Sequence, residues 1–571
     1  MSTLAQLAAP LMPHLMLAPI ALPMFTAAAL LLLREEQQHL KLFFSVLSTL
    51  LGLVASVALL AWSHQAGATS TLGVYLPGNW PAPFGIVLAL DRLTALMLVL
   101  TSVVALCAVV FSGARWYRAG VHFQSLFQFQ LMGLAGAFLT ADLFNLFVFF
   151  EIMLAASYGL LLHGSGPARV GSGLHYIAIN LAASSLFLIG AAVLYGITGT
   201  LNMADLALAV AQVSDGDRGL LHAGAAILAT AFLIKAAVWP LNFWLVPAYS
   251  SATAPVGALF AIMTKVGVYA ILRLWTLMFG AEAGASALFG NLWLTGAGMV
   301  TMVFGAVGMM GSQRLSHLAG HAAVLSSGTL LAAAGFAEND LTAGLLYYLP
   351  SSTLAVAALF LIDDLIDRWR NGGASLAPYE RDDTPFLTAD LLPTAGGVNL
   401  DDDEEVLVGR VIQAAAAFIG LSFLVSTLVI AGLPPLSGFV GKLTMLTAML
   451  NPLGLGSSAG MRPGVAGWLL LALMLITGFA ALMALTRAGI RHFWGSFDRM
   501  APELRVLEGL PIATLLLACM ALTVLAEPAI GFTRAAANAL HAPTTYVHAV
   551  MSATPRPGVA HGTDATQEAA R

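Results

Sequence analysis

About fourteen apolar stretches, each close to the roughly 20 residues a helix needs to cross a bilayer, follow one another along the chain with short polar joins between them. Hydrocarbon offers backbone N–H and C=O groups no water, so each stretch is expected to bond its own backbone as a helix. The fold class is therefore all-α integral membrane. The expected spans are 13–33, 41–62, 84–112, 122–140, 143–163, 173–197, 221–245, 251–275, 286–311, 316–337, 342–366, an interrupted one at 409–451, then 467–487 and 509–532. Turn sequences such as Leu76-Pro77-Gly78-Asn79, Gly164-Ser165-Gly166-Pro167 and Asn451-Pro452-Leu453-Gly454 mark several of the ends. Residues 1–13 carry no Lys or Arg, and the run from Leu15 to Leu33 is long enough to span, so it reads as a retained first helix.

Composition excludes several classes of function. Hydrophobic residues make up 59% of the 571 positions and charged ones 9%, which is not the balance of a soluble globule. A net charge of −5 over that length gives no footprint for nucleic acid. Cys107 and Cys519 lie within apolar runs and read as packed core thiols, without a disulfide framework or a thiolate metal site. No glycine-rich phosphate loop follows a strand, and two isolated cysteines cannot hold an iron–sulfur cluster. No cofactor, redox centre or nucleotide hydrolysis is expected, so energy must come from ion gradients or from a partner.

Positive charge sets the orientation of the spans. Alternate joins hold Arg34 with Lys41, Arg115 with Arg118, Arg169, Arg314, Arg368 with Arg370, and Arg487, Arg491 and Arg499. The opposite joins hold Arg218 and Arg462, with Arg273 near the end of the eighth span. Both termini are thereby expected outside the cytoplasm. The long polar join from Asp367 to Gly409, with Tyr379-Glu380-Arg381-Asp382-Asp383 and Asp401-Asp402-Asp403-Glu404-Glu405, reads as a solvated loop, a cation-attracting surface being the alternative. The polar tail after Met551 is expected to fray.

Spans four to eight and nine to thirteen form two units of five, and an odd unit length turns the second copy upside down. The expected organisation is 1–121 (three N-terminal spans), 122–275 (first repeat), 276–487 (second, inverted repeat with the polar cytoplasmic loop 367–409), 488–533 (final span) and 534–571 (C-terminal tail). Each repeat has one helix broken by proline, at Trp239-Pro240 and at Pro434-Pro435.

Four ionisable groups stand inside apolar runs: Glu151, Lys235, Lys265 and Lys442. Such residues mark an ion or proton path by default. Burial favours the neutral form of an acid or an amine, while a neighbouring opposite charge favours the ionised form, and that competition is what a proton relay uses. The alternative is a static Glu151–Lys235 ion pair that fixes helix packing. Asp142 reads as the membrane edge or as part of the path. His175 and His222 lie near helix starts, whereas His317 and His321 share a helix face and could line a hydrated branch, pack in the core or, with a third ligand, hold a metal. Asp363 and Asp364 read as interfacial, and Trp116, Trp239, Trp244 and Trp494 fall near span ends or breaks.

These motifs resemble the proton-translocating antiporter-like family, shared by the three large membrane-arm subunits of NADH-quinone oxidoreductase and the large subunits of the multisubunit Mrp/Pha cation/proton antiporter. Phe150-Glu151-Ile152-Met153 resembles its span-five glutamate motif. Lys235-Ala236-Ala237-Val238-Trp239-Pro240, with Leu245-Val246-Pro247-Ala248-Tyr249 and Ala254-Pro255, resembles its broken span seven. Thr264-Lys265-Val266-Gly267-Val268-Tyr269-Ala270-Ile271-Leu272-Arg273 resembles its span eight, and Gly432 to Lys442 its broken span twelve. The segments 84–93, 141–154, 199–206 and 487–494 are similar to the D-type subunit of Mrp/Pha antiporters, as is lysine rather than glutamate at 442. The resemblance implies a hetero-oligomeric complex in a bacterial cytoplasmic membrane, with a large A-type subunit and small membrane subunits as partners. It implies exchange of cytoplasmic Na⁺ or K⁺ for external protons, with Glu151, Lys235, Lys265 and Lys442 in the proton route. A respiratory membrane arm and a mainly structural subunit are the competing readings. Many relatives have a lysine and a histidine in the segment that here reads Leu349-Pro350-Ser351-Ser352-Thr353-Leu354-Ala355-Val356-Ala357-Ala358-Leu359-Phe360, which has neither. The middle of the route is therefore expected to depend on water, His317 and His321.

Overall fold

The computed structural model describes residues 12–65, 72–116, 122–164, 166–370, 414–450, 464–493 and 504–555. Among them, eleven helices are long and apolar enough to cross a membrane. In chain order the helices are α1 (Met12–Leu15), α2 (Ala18–Leu32), α3 (Gln38–Gln65), α4 (Arg92–Ser112), α5 (Phe123–Leu139), α6 (Leu143–Leu162), α7 (Pro167–Thr198), α8 (Met203–Gln212), α9 (Asp215–Lys235) and α10 (Leu245–Ser251). They continue with α11 (Ala254–Met278), α12 (Asn291–Gly311), α13 (Leu315–Ala334), α14 (Asn339–Arg370), α15 (Ala414–Ala431), α16 (Ser437–Leu450), α17 (Val465–Phe493), α18 (Val506–Val524), α19 (Ala526–His541) and α20 (Thr544–Met551). Every expected span falls on a helix or a pair of half-helices. Spans one, four and ten fall on α2, α5 and α13, which are shorter or less apolar than the eleven.

Three boundaries differ from the expectation. The first part of span 84–112 is extended: β2 (Leu88–Leu90) pairs antiparallel with β1 (Gly73–Tyr75), Val74 opposite Ala89. Helix α4 starts only at Arg92, because the Asp91 side chain accepts from Thr94 N–H at 2.8 Å and fixes the N-cap there. The last span ends at Val524, and Leu525 turns the chain into α19. Pro528 sits in the first turn of α19, where its missing N–H costs no helical bond. The third difference is in the long polar join, whose opening residues Asp367 to Arg370 continue α14. The rest of that join, with both acidic runs, lies outside the described residues, as do Arg118, Arg462, Arg499, Trp494 and the tail beyond residue 555.

Helix ends that the charge pattern assigned to one side do meet. Glu508, at the start of α18 and 1% exposed, binds Arg115 just beyond α4 at 3.2 Å and Arg368 near the end of α14 at 3.0 Å. A carboxylate so buried persists because two guanidiniums neutralise it. On the same side Arg169 donates to Ser251 O at 2.8 Å, and Arg487 to Met310 O at 2.6 Å. At the opposite side Arg273 of α11 binds Asp91 at 2.7 Å, flanked by the rings of Tyr269 and Tyr546. Helices α11 and α14 run through the centre with their apolar segments wholly buried, while α3, α12 and α17 turn large apolar side chains outward, as suits lipid or a partner.

Candidate functional site

Helix α9 ends on Lys235 itself. Ala237 adopts a left-handed backbone (φ 55°), Val238 N–H returns to Leu233 O, and Ala237 N–H returns to Ile234 O, each at 3.0 Å. This paired closure is a Schellman end. The chain then turns to Trp244 before α10 resumes the span. Trp239 N–H, freed by the break, donates to Thr301 Oγ1 of α12 at 3.0 Å, and Pro240 has no N–H to satisfy.

Lys235 is 6% exposed and donates from Nζ to Asn180 Oδ1 of α7 at 3.3 Å, with the Phe150 ring centroid 5.7 Å away. Glu151, the residue after Phe150, accepts a hydrogen bond from Ser184 Oγ, also on α7. Asn180 and Ser184 are one turn apart, so a single face of α7 serves both groups. No contact ion pair joins Lys235 to Glu151 among the described residues, and each instead meets a neutral side chain of α7. The static contact pair weighed from the sequence is not formed.

The second break closes in the same way. Gly432 is left-handed (φ 78°), Leu433 N–H returns to Leu428 O at 2.9 Å, and Gly432 N–H to Val429 O at 3.2 Å. Pro434 and Pro435 follow, and α16 begins at Ser437. Lys442 reaches back from α16 and donates to Ala431 O at 2.8 Å and Ile430 O at 3.4 Å. Those carbonyls are the ones a helix end leaves over, and the negative end of the helix dipole favours a cation there. A Cβ on Gly432 would come within 2.6 Å of Lys442 Cδ, and one on Gly478 of α17 within 3.3 Å of Nζ.

Lys265 lies on the buried α11 and donates to Ser327 Oγ of α13 at 3.4 Å. Two residues on, Gly267 lets α11 lie against the end of α9, since a Cβ there would sit 2.6 Å from Ala236 N. Three of the chain's four lysines thus occur in these positions, the fourth being Lys41 near the start of α3, while the other positive charges of the joins are arginines. Lysine can release its proton and arginine cannot, which suits the one to transfer and the other to anchoring.

A relative from Rhizobium meliloti, described as the D subunit of a probable K⁺/H⁺ antiporter, is 48% identical over 95% of this chain and 98% of its own length. The chain belongs to the family of antiporter D subunits. Its relative from Alkalihalophilus pseudofirmus, the D subunit of a Na⁺/H⁺ antiporter, is 32% identical over 95% of this chain and 100% of that protein. Residues 140–380 match the family model for the transmembrane part of NADH:quinone oxidoreductase and the Mrp antiporter. The fold of this D-type chain is that of a chain in the Mrp complex from Dietzia sp. DQ12-45-1b, with a TM-score of 0.77 at 24% identity, covering 95% of this chain and 100% of that one. Respiratory complex I from Thermus thermophilus holds a chain of similar fold, with a TM-score of 0.69 at 21% identity, covering 94% of this chain and 100% of that one.

Not every singled-out residue of this D-type chain joins the line of lysines. His321 packs over Gly308 and beside Phe304 of α12, its Nδ1 buried without a hydrogen bond, whereas Ser326 and Ser327 on the same helix contact α14 and α11. The histidine face is therefore turned away from Lys265. Asp142 caps α6 by accepting from Asn145 N–H at 2.8 Å, His222 stacks on Phe289 at 4.0 Å, and Asp364 pairs with Arg368 at 3.1 Å. Conversely, Asn180 and Ser184 escaped the sequence reading. Their four-residue spacing within an apolar span was the available signal.

Proposed function

We propose that the chain is the proton-translocating subunit of a multisubunit antiporter, exporting K⁺ or Na⁺ from the cytoplasm in exchange for external protons. The observation that carries this reading is the pair of broken helices, each with a buried lysine whose hydrogen bonds go to neutral groups. Among the described residues no carboxylate touches Lys235, Lys265 or Lys442, so none of them is locked in its charged form, and each can take up and release a proton. Glu151 and Lys235 act at one end through their mutual field, Lys265 relays at the centre, and Lys442 serves the second break. His317 and His321 stand to the side and are assigned to a hydrated branch. Proton passage through this line is coupled to cation movement elsewhere in the assembly.

Membership of the D-subunit family supports assembly with further membrane subunits, among them a large A-type chain and small ones. It also supports a place in a bacterial cytoplasmic membrane. Fourteen crossings, two inverted five-helix repeats and both termini outside the cytoplasm complete the reading, and the shared side of the arginine-bearing joins supports it.

The test is the assembled complex in vesicles, with proton flux followed on adding K⁺ or Na⁺ and every copurifying subunit identified. Flux that starts with one of the cations and stops in Lys235→Ala, with assembly intact, is the expected result. Normal transport by the assembled Lys235→Ala complex would overturn the proposal. Copurification with quinone-reducing subunits would assign the chain to a respiratory arm instead.

A further inference from the structure

We infer that a file of buried serine hydroxyls carries the proton between Lys265 and the second broken helix. The inference rests on the relay reading above and adds to it the residues that join its centre to its end. From Lys265 the amine reaches Ser327 Oγ on α13 at 3.4 Å. Its neighbour Ser326 donates to Ser352 Oγ on α14 at 2.8 Å. Ser351, next to Ser352, shares a hydrogen bond of 2.7 Å with the hydroxyl of Ser437. Ser437 opens α16, the half-helix whose Lys442 reaches back to the break. All five serines are at most 3% exposed.

Interhelical glue is the ordinary role of serine in a membrane helix, and the pattern of contacts separates the two roles. A lone hydroxyl in an apolar helix most simply bonds a carbonyl one turn back on its own helix. Thr329 does so to Leu325 O at 2.9 Å and Thr353 to Leu349 O at 2.7 Å, each immediately beside the file. Ser326 and Ser351 instead meet hydroxyls on the next helix, and Ser352, although it also donates to Leu349 O at 3.1 Å, accepts from Ser326 across the helix interface. A hydroxyl facing a hydroxyl has both a donor and an acceptor on each side, which is the arrangement along which protons hop.

The transfer balances without a charged serine. Each Oγ accepts a proton at a lone pair as it releases its own to the next, so the proton that leaves the Lys265 ammonium is matched by one that Ser437 hands, through water at the break, to the neutral Lys442 amine five residues on. The hydroxyls then rotate back before the next passage. Between Ser327 and Ser326, and between Ser352 and Ser351, the file passes between adjacent residues whose Cα atoms are about 3.8 Å apart. The hydroxyls at these two steps are not bonded to each other among the described residues, and the file requires bridging water at each of them.

The experiment uses the assembled complex in vesicles, with cation-driven proton flux and complex yield measured together. Ser352→Ala should lower flux about tenfold to a hundredfold at unchanged yield, the lower end of what a positioned proton-transfer group contributes. Ser352→Thr, which keeps the hydroxyl, should restore most of the flux. The double variant Ser326→Ala/Ser352→Ala should be no slower than the worse single one, because both remove the same contact. Should Ser352→Ala fail to assemble, Ser437→Ala and Ser437→Thr put the same question to the neighbouring contact. The file is wrong if the alanine variants keep wild-type flux while Lys265→Ala is inactive. It is equally wrong if threonine harms flux as much as alanine, since that marks a packing position. If Lys265→Ala and Lys442→Ala also transport normally, the relay itself falls.

Discussion

The two broken helices close alike but obtain their amines differently. At the first, Lys235 belongs to the helix that ends and turns sideways to the Asn180 amide, one turn along α7 from the Ser184 that holds Glu151. At the second, Lys442 comes from the half-helix beyond the break and bonds the terminal carbonyls of the half before it. The first amine can change charge with little cost to the helix that holds it. The second is part of the closure, so its protonation state is tied to the integrity of the break. The first amine thus stands outside the closure of its helix, and the second is built into its own.

Replacing each lysine by alanine is the strongest way to break this comparison. Both variants should lose cation-driven flux by about a hundredfold or more, as loss of a proton-transfer group implies. Stability should separate them. Lys442→Ala forfeits two hydrogen bonds to the carbonyls that close the break and leaves those buried acceptors without a donor, which costs about 1–3 kcal/mol. Lys235→Ala loses one contact to a neutral amide, nearer the ~0.6 kcal/mol typical between membrane helices. Thermal melting of the assembled complex should therefore fall clearly for Lys442→Ala and barely for Lys235→Ala. Equal shifts would remove the distinction.

Gly432→Ala comes next. Alanine in the left-handed region costs about 1–2 kcal/mol, and here its Cβ would also press on the Lys442 stem. Melting should drop and flux should fall, although no ionisable group has changed. Full activity of this variant would show that the Lys442 cap can be displaced freely.

At the first break the corresponding probe is the α7 bridge. Asn180→Ala and Ser184→Ala each remove a neutral partner, of Lys235 and of Glu151 respectively. Each should cost less than about 1 kcal/mol of stability, in line with single interhelical bonds in membranes. Their effect on flux should be partial and non-additive if both tune one acid–amine couple. Additive losses in a double-mutant cycle would mean that Glu151 and Lys235 work independently.

How much of this was readable beforehand depends on the kind of signal. Hydropathy places the expected spans on helices or pairs of half-helices, apart from the extended start of span 84–112, because the bilayer forbids unpaired backbone. The lysines stood out because ionisable residues are so rare in those runs. Prolines 240, 434 and 435 announced both breaks, but not where the first begins. Helix α9 stops five residues before Pro240, at a left-handed Ala237 that has no sequence signature. Gly432 did mark the second. Strand β2 and the turn at Leu525 were hidden inside apolar runs long enough to pass for helix. Asn180, Ser184 and the serines of α13 and α14 were hidden for another reason. Small polar residues are common in membrane helices, and only the facing helix shows which of them look outward from their own backbone.

The smallest effect belongs to Ala237→Gly. Glycine removes the left-handed penalty at the first break, about 1–2 kcal/mol, but frees the unfolded chain by roughly 0.4–1 kcal/mol in return. The net gain in stability should therefore be under about 1 kcal/mol, with flux unchanged, because the Schellman bonds to Leu233 and Ile234 use the backbone alone. Melting temperature and flux measured beside Gly432→Ala make this a direct test of whether the two closures are the same structure. A gain at 237 with a loss at 432 is the expected pair. If Ala237→Gly instead abolishes flux, the strained alanine is itself part of how the first break holds Lys235, and the two breaks differ in mechanism as well as in the origin of their amines.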